Sequence, residues 1–261
     1  MQKTLSFKNS QLSFSDIGNG SVVVLLHGFL ENSSMWKTVA PELSKNRRVI
    51  TIDLLGHGKS QSIGYVHSME LMAEAVAAIL KSLRIRRITL IGHSMGGYVA
   101  LAFAEKYPEK IKGLCLMNST SLADDDERKQ LRARANKMVQ TNFTNMVRMS
   151  FTNLFSETSR SAFKSELELA LAEALQTSLQ GYIACQEGMR IRPNRMAVLK
   201  NNDFKKLIII GKKDWVVSYE TSLEEAKKTN AKTAIFNEGH MSHIENKEEL
   251  LLALSSFVKS C

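Results

Sequence analysis

Residues Gly92-His93-Ser94-Met95-Gly96-Gly97 follow an apolar run, Ile88-Thr89-Leu90-Ile91, and precede a helix-forming one, Tyr98 to Ala104. A G-x-S-x-G segment between a strand and a helix forces a tight, strained turn. Small residues two before and two after the serine let that turn form without Cβ clashes. The serine hydroxyl is thereby lifted to the top of the sheet. The helix starting beside it aims unpaired N–H groups and a positive dipole end at any oxyanion formed there. A glycine-rich turn alone would carry no function, but here the strand, the helix and the additional Gly97 are in register, so Ser94 is the candidate nucleophile.

Positioning such a serine is the task of the surrounding elements. Nearly continuous aliphatic runs at Val22–Leu26, Val49–Ile52, Ile88–Ile91, Leu114–Met117 and Leu207–Ile210 read as buried strands. They are separated by helical patterns, the signature of βαβ units around a mostly parallel sheet with helices on both faces. Gln2–Lys8 and Gln11–Asp16 alternate in polarity around Asn9-Ser10 and suggest an antiparallel hairpin at one edge. Helical periodicity runs through Ser68–Leu83, Ser94–Tyr107, Tyr219–Thr229 and Lys247–Lys259. From Ser119 to Asn202 the strand pattern stops and the chain becomes helical and amphipathic. The expectation is a helical cap over the carboxyl ends of the strands, where α/β folds bind ligands. Met138, Met146, Met149, Met189 and Met196 fall in this segment, where flexible thioethers suit either an adaptable apolar pocket or plain helix packing.

At 261 residues, with 44% hydrophobic and 23% charged residues and only 3 prolines, the chain has the composition of a soluble globular protein built on one large α/β domain carrying an insertion. No apolar stretch is long enough for a membrane span, and the start, Met1 to Lys8, has no signal-peptide core. A cytoplasmic location with no membrane partner is therefore expected. Cys115, Cys185 and Cys261 are too widely spaced for a zinc site or a disulfide framework. The formal charge of +9 is spread along the chain without interleaved aromatics, so it reads as solubility rather than nucleic-acid binding. No phosphate loop, dinucleotide fingerprint or metal-ligand spacing occurs. The expectation is no cofactor, no metal and a small-molecule substrate.

Taken jointly, several motifs resemble the α/β-hydrolase superfamily, in its branch of capped single-domain serine hydrolases. They are His27-Gly28-Phe29, the segment Asp53 to Ser60, the elbow at Ser94, Gly211-Lys212-Lys213-Asp214, and Gly239-His240. The resemblance covers nearly the whole chain. It implies an α/β-hydrolase fold: a mostly parallel eight-stranded sheet flanked by helices, with a core of residues 1–118 and 203–261 and a helical cap at 119–202. The cap matches only in position and helical character, and substrate identity would be written there.

A serine hydroxyl is a poor nucleophile at neutral pH and needs a base oriented by a carboxylate. His240 fits as base, since it follows Gly239 just after the strand-like Thr233–Phe236, and the family pattern places a glutamate five residues on, here Glu245. His243 is the rival. Asp214 fits as the acid and gives the chain order Ser, Asp, His; Asp203 and Asp124 to Asp126 have no strand directly before them. The resembling pattern usually carries a proline soon after this acid, whereas this chain has Trp215-Val216-Val217-Ser218. The backbone amides of Phe29 and Met95 are the expected oxyanion donors, and His27 and His57 read as scaffold. A serine at the elbow argues against haloalkane dehalogenase or epoxide hydrolase chemistry, which resemble this layout with an aspartate there. The expected activity is hydrolysis of small or medium acyl esters. A thioesterase, lactonase, carbon–carbon hydrolase or menaquinone-pathway-like lyase is the alternative, the lyase favoured if Arg190, Arg192 and Arg195 faced Ser94. A non-catalytic ligand receptor is a further reading.

Overall fold

The computed structural model describes residues 2–261. The chain opens with the expected edge hairpin, β1 (Gln2–Phe7) and β2 (Ser10–Gly18), followed by β3 (Val22–Leu26), α1 (Val39–Ser44), β4 (Arg48–Asp53) and α2 (Met69–Ser82). Next come β5 (Ile88–His93), α3 (Met95–Lys106) and β6 (Ile111–Met117). Six helices then intervene: α4 (Asp126–Met138), α5 (Phe143–Thr152), α6 (Glu157–Ala162), α7 (Lys164–Ala174), α8 (Leu179–Arg190) and α9 (Met196–Lys200). The chain closes with β7 (Lys205–Gly211), α10 (Tyr219–Thr229), β8 (Lys232–Phe236), α11 (Ser242–Glu245) and α12 (Lys247–Ser260).

The eight strands form one sheet in the order β1-β2-β4-β3-β5-β6-β7-β8. β1 with β2 and β2 with β4 pair antiparallel, and every other pairing is parallel. After β3 the chain pairs first with β4 on one side and later with β5 on the other. The strand order therefore reverses at β3, and the carboxyl ends flanking such a reversal open a crevice. His27-Gly28-Phe29 leaves β3 and Ser94 leaves β5 at that crevice.

Alternate residues of each central strand feed opposite faces. Val24, Leu26, Ile50, Ile52, Leu90, Leu114 and Ile208 pack under α2, α3 and α10. Val23, Leu25, Val49, Ile91, Cys115 and Ile209 pack against Trp36, α1 and α12. Burial on both faces explains why these strands lack polar alternation, and each such side chain contributes about 1.5–3 kcal/mol. α3 is buried along ten of its residues, Met95 to Ala104, and is the central helix of its layer. The short α1 carries no strong periodic signal and escaped the sequence reading.

Residues of the intervening helices form a third cluster, in which Val147, Phe151, Phe155, Leu171 and Tyr182 pack on Leu30, Met241 and Ile244, whereas Val198 and Leu199 of α9 join the first. The loops carrying Phe29 and His240 are therefore seated against this helical segment. Polar ties add to the seam. Asp124, fully buried, pairs with Arg132 on α4 at 2.5 Å and with Arg192 beyond α8 at 2.7 Å. Arg195, 2% exposed at its side chain, pairs with Glu70 of α2 and Glu105 of α3. Removing one partner of a buried pair strands the other charge in low dielectric, at about 3–5 kcal/mol. Asp124→Ala is accordingly expected to lower unfolding free energy by about 3 kcal/mol in urea titrations, and a loss below about 1 kcal/mol would show that the pairs add nothing to the seam.

Candidate active site

Ser94 sits between β5 and α3 at φ 49°, ψ −116°, a conformation that costs a non-glycine residue energy and persists only where its surroundings impose it. The surroundings do so on three sides. Its N–H donates to Met117 O at 3.0 Å, and its carbonyl accepts from Gly97 N at 2.9 Å and from Ser119 Oγ at 2.7 Å. Glycines permit the close approach: a Cβ on Gly92 would lie 2.3 Å from Gly96 O, and one on Gly96 would lie 2.5 Å from Leu26 O. α3 thus butts against the end of β3 with its first turn beside Ser94.

His240 follows β8 on a loop and is 1% exposed. Its Nδ1 lies 2.8 Å from Asp214 Oδ2, which leaves Nε2 as the ring nitrogen free for proton transfer. Asp214 follows β7 and is itself tightly held. Its Oδ1 accepts from the amides of Val216 at 2.9 Å and Val217 at 3.0 Å, and its Oδ2 also accepts from Asn118 Nδ2 at 3.1 Å. Burial pushes the Asp214 carboxyl up, but the His240 charge and hydrogen bond, together with the Val217 and Asn118 donors, outweigh it and hold the acid below the usual carboxylate range. Ser94 and His240 both line one cavity of about 540 Å³.

Glu245 bonds the amides of Met241 at 2.8 Å and Ser156 at 3.1 Å, fastening the His240 loop to the start of α6. Among the described residues neither the Phe29 nor the Met95 amide finds an acceptor, and Met95, as the first residue of α3, has none within the helix. His27 takes the Leu54 amide on Nε2 at 2.9 Å and His57 takes the Leu30 amide on Nε2 at 3.1 Å, so both brace loops. Burial lowers both, His57 to about 3.

Some contributors were not singled out by the sequence. Asn118, after β6 at φ 47°, joins Asp214 to the His240 loop by also donating to Gly239 O at 3.2 Å and accepting from Ser242 Oγ at 2.7 Å. Arg128, Arg132 and Arg134 of α4 line the cavity. Arg190, Arg192 and Arg195 do not: Arg190 pairs with Glu187, Arg192 stacks 3.9 Å over Tyr98, and Arg195 is held by its two glutamates. Of the methionines noted in the helical segment, Met138, Met146, Met149 and Met189 reach the cavity and Met196 does not.

His243 is directed at Glu31, with Nε2 3.6 Å from Oε1, and burial lowers it to about 4. Glu31, His93 and His243 bring ligand-type atoms within 4.8 Å of one another, a cluster that linear spacing does not reveal. Glu31 Oε2 and His93 Nδ1 are 2.7 Å apart, a direct hydrogen bond that engages both atoms with each other.

Burial raises the Glu31 carboxyl, but the charges of His93 and His243 win and hold it at about 2, while Glu31 overcomes burial to raise His93 above its ordinary value. The signs set a window. The carboxylate's stabilising contribution is complete above the ordinary carboxyl value and is lost as pH falls toward 2. The imidazolium's contribution is complete below the ordinary histidine value and is lost as pH rises through its elevated one. Urea midpoints of the wild type are expected to fall between about pH 5 and pH 3, and Glu31→Gln is expected to flatten that acid limb. An unchanged acid limb in the variant would contradict the pairing.

A family model described as the alpha/beta hydrolase fold matches residues 21–247. Over 117 residues, 43% of this chain, the sequence is 37% identical to a 2-hydroxy-6-oxo-2,4-heptadienoate hydrolase of Pseudomonas putida, covering 42% of that protein. The matches span only part of the curated relatives' lengths, 33% of one, 42% of another and 64% of a third. Among solved structures, a thermophilic esterase from Thermogutta terrifontis is 29% identical, with a TM-score of 0.94 over 100% of this chain and 98% of the other. An enol-lactonase from Burkholderia xenovorans, 20% identical, superposes with a TM-score of 0.92 over 98% and 100% of the two chains, a likeness of fold alone. With the family model running from just before β3 to the first residue of α12, the chain belongs to the alpha/beta hydrolase family.

Proposed function

We propose that this protein is a serine hydrolase cleaving carboxylic esters of small or medium acyl substrates, with Ser94 as nucleophile, His240 as general base and Asp214 as its orienting acid. The observation that carries the reading is the buried His240–Asp214 pair at 2.8 Å in a cavity shared with a serine at φ 49°. In the proposed cycle Ser94 Oγ attacks the ester carbonyl and its proton passes to His240 Nε2. The Phe29 and Met95 amides take the oxyanion. Collapse expels the alcohol, protonated by His240, and leaves an acyl-enzyme, which a water activated by His240 then hydrolyses.

The helical segment at 119–202 serves as the cap in this reading. Leu131, Met138, Met146, Met149 and Met189 supply an apolar wall, with Trp215 opposite. About 540 Å³ is within the range of small-molecule sites. Among the described residues no helix is long and apolar enough to cross a membrane.

A second reading keeps the same residues and changes the bond. The Pseudomonas putida relative is named for a heptadienoate, an anion, and Arg128 and Arg134 of α4 on the cavity wall, with Arg132 committed to Asp124, favour a carboxylate-bearing substrate for carbon–carbon hydrolysis. Arg190, Arg192 and Arg195, which would have favoured the lyase reading had they faced Ser94, lie outside the cavity lining.

A p-nitrophenyl ester series of increasing acyl length tests the ester reading. Wild type is expected to turn over short and medium esters, Ser94→Ala and His240→Ala to lose roughly 10⁴-fold or more in kcat/KM, Asp214→Asn to lose roughly 10²- to 10⁴-fold, and His243→Ala to stay within about tenfold. Turnover that survives Ser94→Ala would overturn the proposal. Turnover of 2-hydroxy-6-oxo-dienoates but of no ester would move the assignment to carbon–carbon hydrolysis.

A further inference from the structure

Beside Ser94, in the lining of the same cavity, lies a buried ion pair with no part in the cycle above. The side chains of Glu31 and His93 are 4% and 1% exposed and meet at 2.7 Å. Desolvation offsets most of the attraction within a buried charged pair, so stability alone does not account for it. What distinguishes this pair is what its remaining atoms hold. Glu31 Oε2 also accepts the Gly28 amide at 2.6 Å, immediately before Phe29. His93 Nε2 reaches the backbone carbonyl of His240 at 2.9 Å. Carboxylate and carbonyl are both acceptors here, so both nitrogens of His93 must donate, and the ring is an imidazolium. The His93 and His240 rings lie 5.0 Å apart, and His93 directly precedes Ser94 in the chain.

The fit is close at each end. A Cβ on Gly28 would lie 2.5 Å from Glu31 Oε2 and 2.8 Å from His93 Nδ1, so the loop after β3 touches the pair directly. Gly28 and His240 lie on the loops leaving β3 and β8, and His93 is the last residue of β5, so the three meet at the carboxyl edge of the sheet. The Asp214 hydrogen bond fixes the ring of His240, whereas the His93 bond fixes its main chain.

Resting on the roles proposed above for Ser94 and His240, we propose that Glu31 and His93 are positioning residues: their buried ion pair is a strut that holds the Phe29 amide and the His240 backbone at fixed places relative to Ser94. Neither side chain transfers a proton in the cycle. Their effect falls on the alignment of oxyanion donors and base, which matters most in the transition state. A displacement of about 1 Å in such a constellation costs about 100-fold in rate.

The test uses wild type, Glu31→Gln and His93→Gln, with rates normalised to the fraction of protein that binds a fluorophosphonate at Ser94. For a short p-nitrophenyl ester, both variants are expected to lose about 100-fold in kcat with KM within about twofold, and to label about 100-fold more slowly. In wild type at neutral pH, ¹⁵N spectra are expected to show both His93 ring nitrogens protonated, a reading that does not depend on whether the variants fold. Wild-type kcat in folded Glu31→Gln overturns the strut, as does a neutral His93 ring in wild type or a loss confined to KM. Failure of wild type to label at all overturns the role of Ser94 and the strut with it, and is distinguishable from normal wild-type labelling matched by the variants, which overturns the strut alone.

Discussion

The site depends on one unfavourable backbone conformation, that of Ser94 at φ 49°. A serine adopts it only if the rest of the fold makes every alternative worse. Three hydrogen bonds to the Ser94 main chain do part of this, from β6, α3 and Ser119. Close packing does the rest, since Gly92 and Gly96 bring the elbow within contact of its own helix and of β3. Those contacts need β3 and β5 to be neighbours, which follows from the reversal of strand order at β3. Core packing on both sheet faces therefore supports a strain localised at one residue.

The second layer of the site is electrostatic and equally dependent on topology. Asp214, Asn118 and the His240 loop leave β7, β6 and β8, three adjacent parallel strands. Their carboxyl ends converge, so an acid, an amide and an imidazole far apart in sequence come within hydrogen-bond reach. Burial there disfavours any lone charge, and each charged group is accordingly matched: Asp214 with His240, Glu31 with His93, Asp124 with Arg132 and Arg192. The histidines without such a close carboxylate partner, His27, His57 and His67, are lowered by burial and serve as neutral braces for loops.

Much of this was legible in the sequence because the signals were local. Aliphatic runs marked the parallel strands, and the glycines flanking Ser94 marked the elbow. The caps at the helix starts became clear only in the structure, where Ser68, Asp125, Ser178 and Ser218 each accept an amide from the first turn of the helix they precede. Glu31 and His93 were not legible as partners, since 62 residues separate them and only the β3–β5 pairing brings them together. Asn118 looked like any turn former after a strand. The arginines of the helical segment could not be sorted by composition. Arg192 and Arg195 point into its seam with the core, and Arg128 points into the cavity, a difference set by helix orientation rather than by residue type.

The most direct test of the central claim, that Ser94 carries the acyl group, is rapid mixing of enzyme with excess p-nitrophenyl ester, acid quench, and mass mapping of the modified peptide. The expected result is a burst of p-nitrophenol approaching one equivalent, with the acyl mass on the peptide containing Ser94. Steady turnover with the acyl group on another residue, or with no covalent adduct while the ester is consumed, would contradict it.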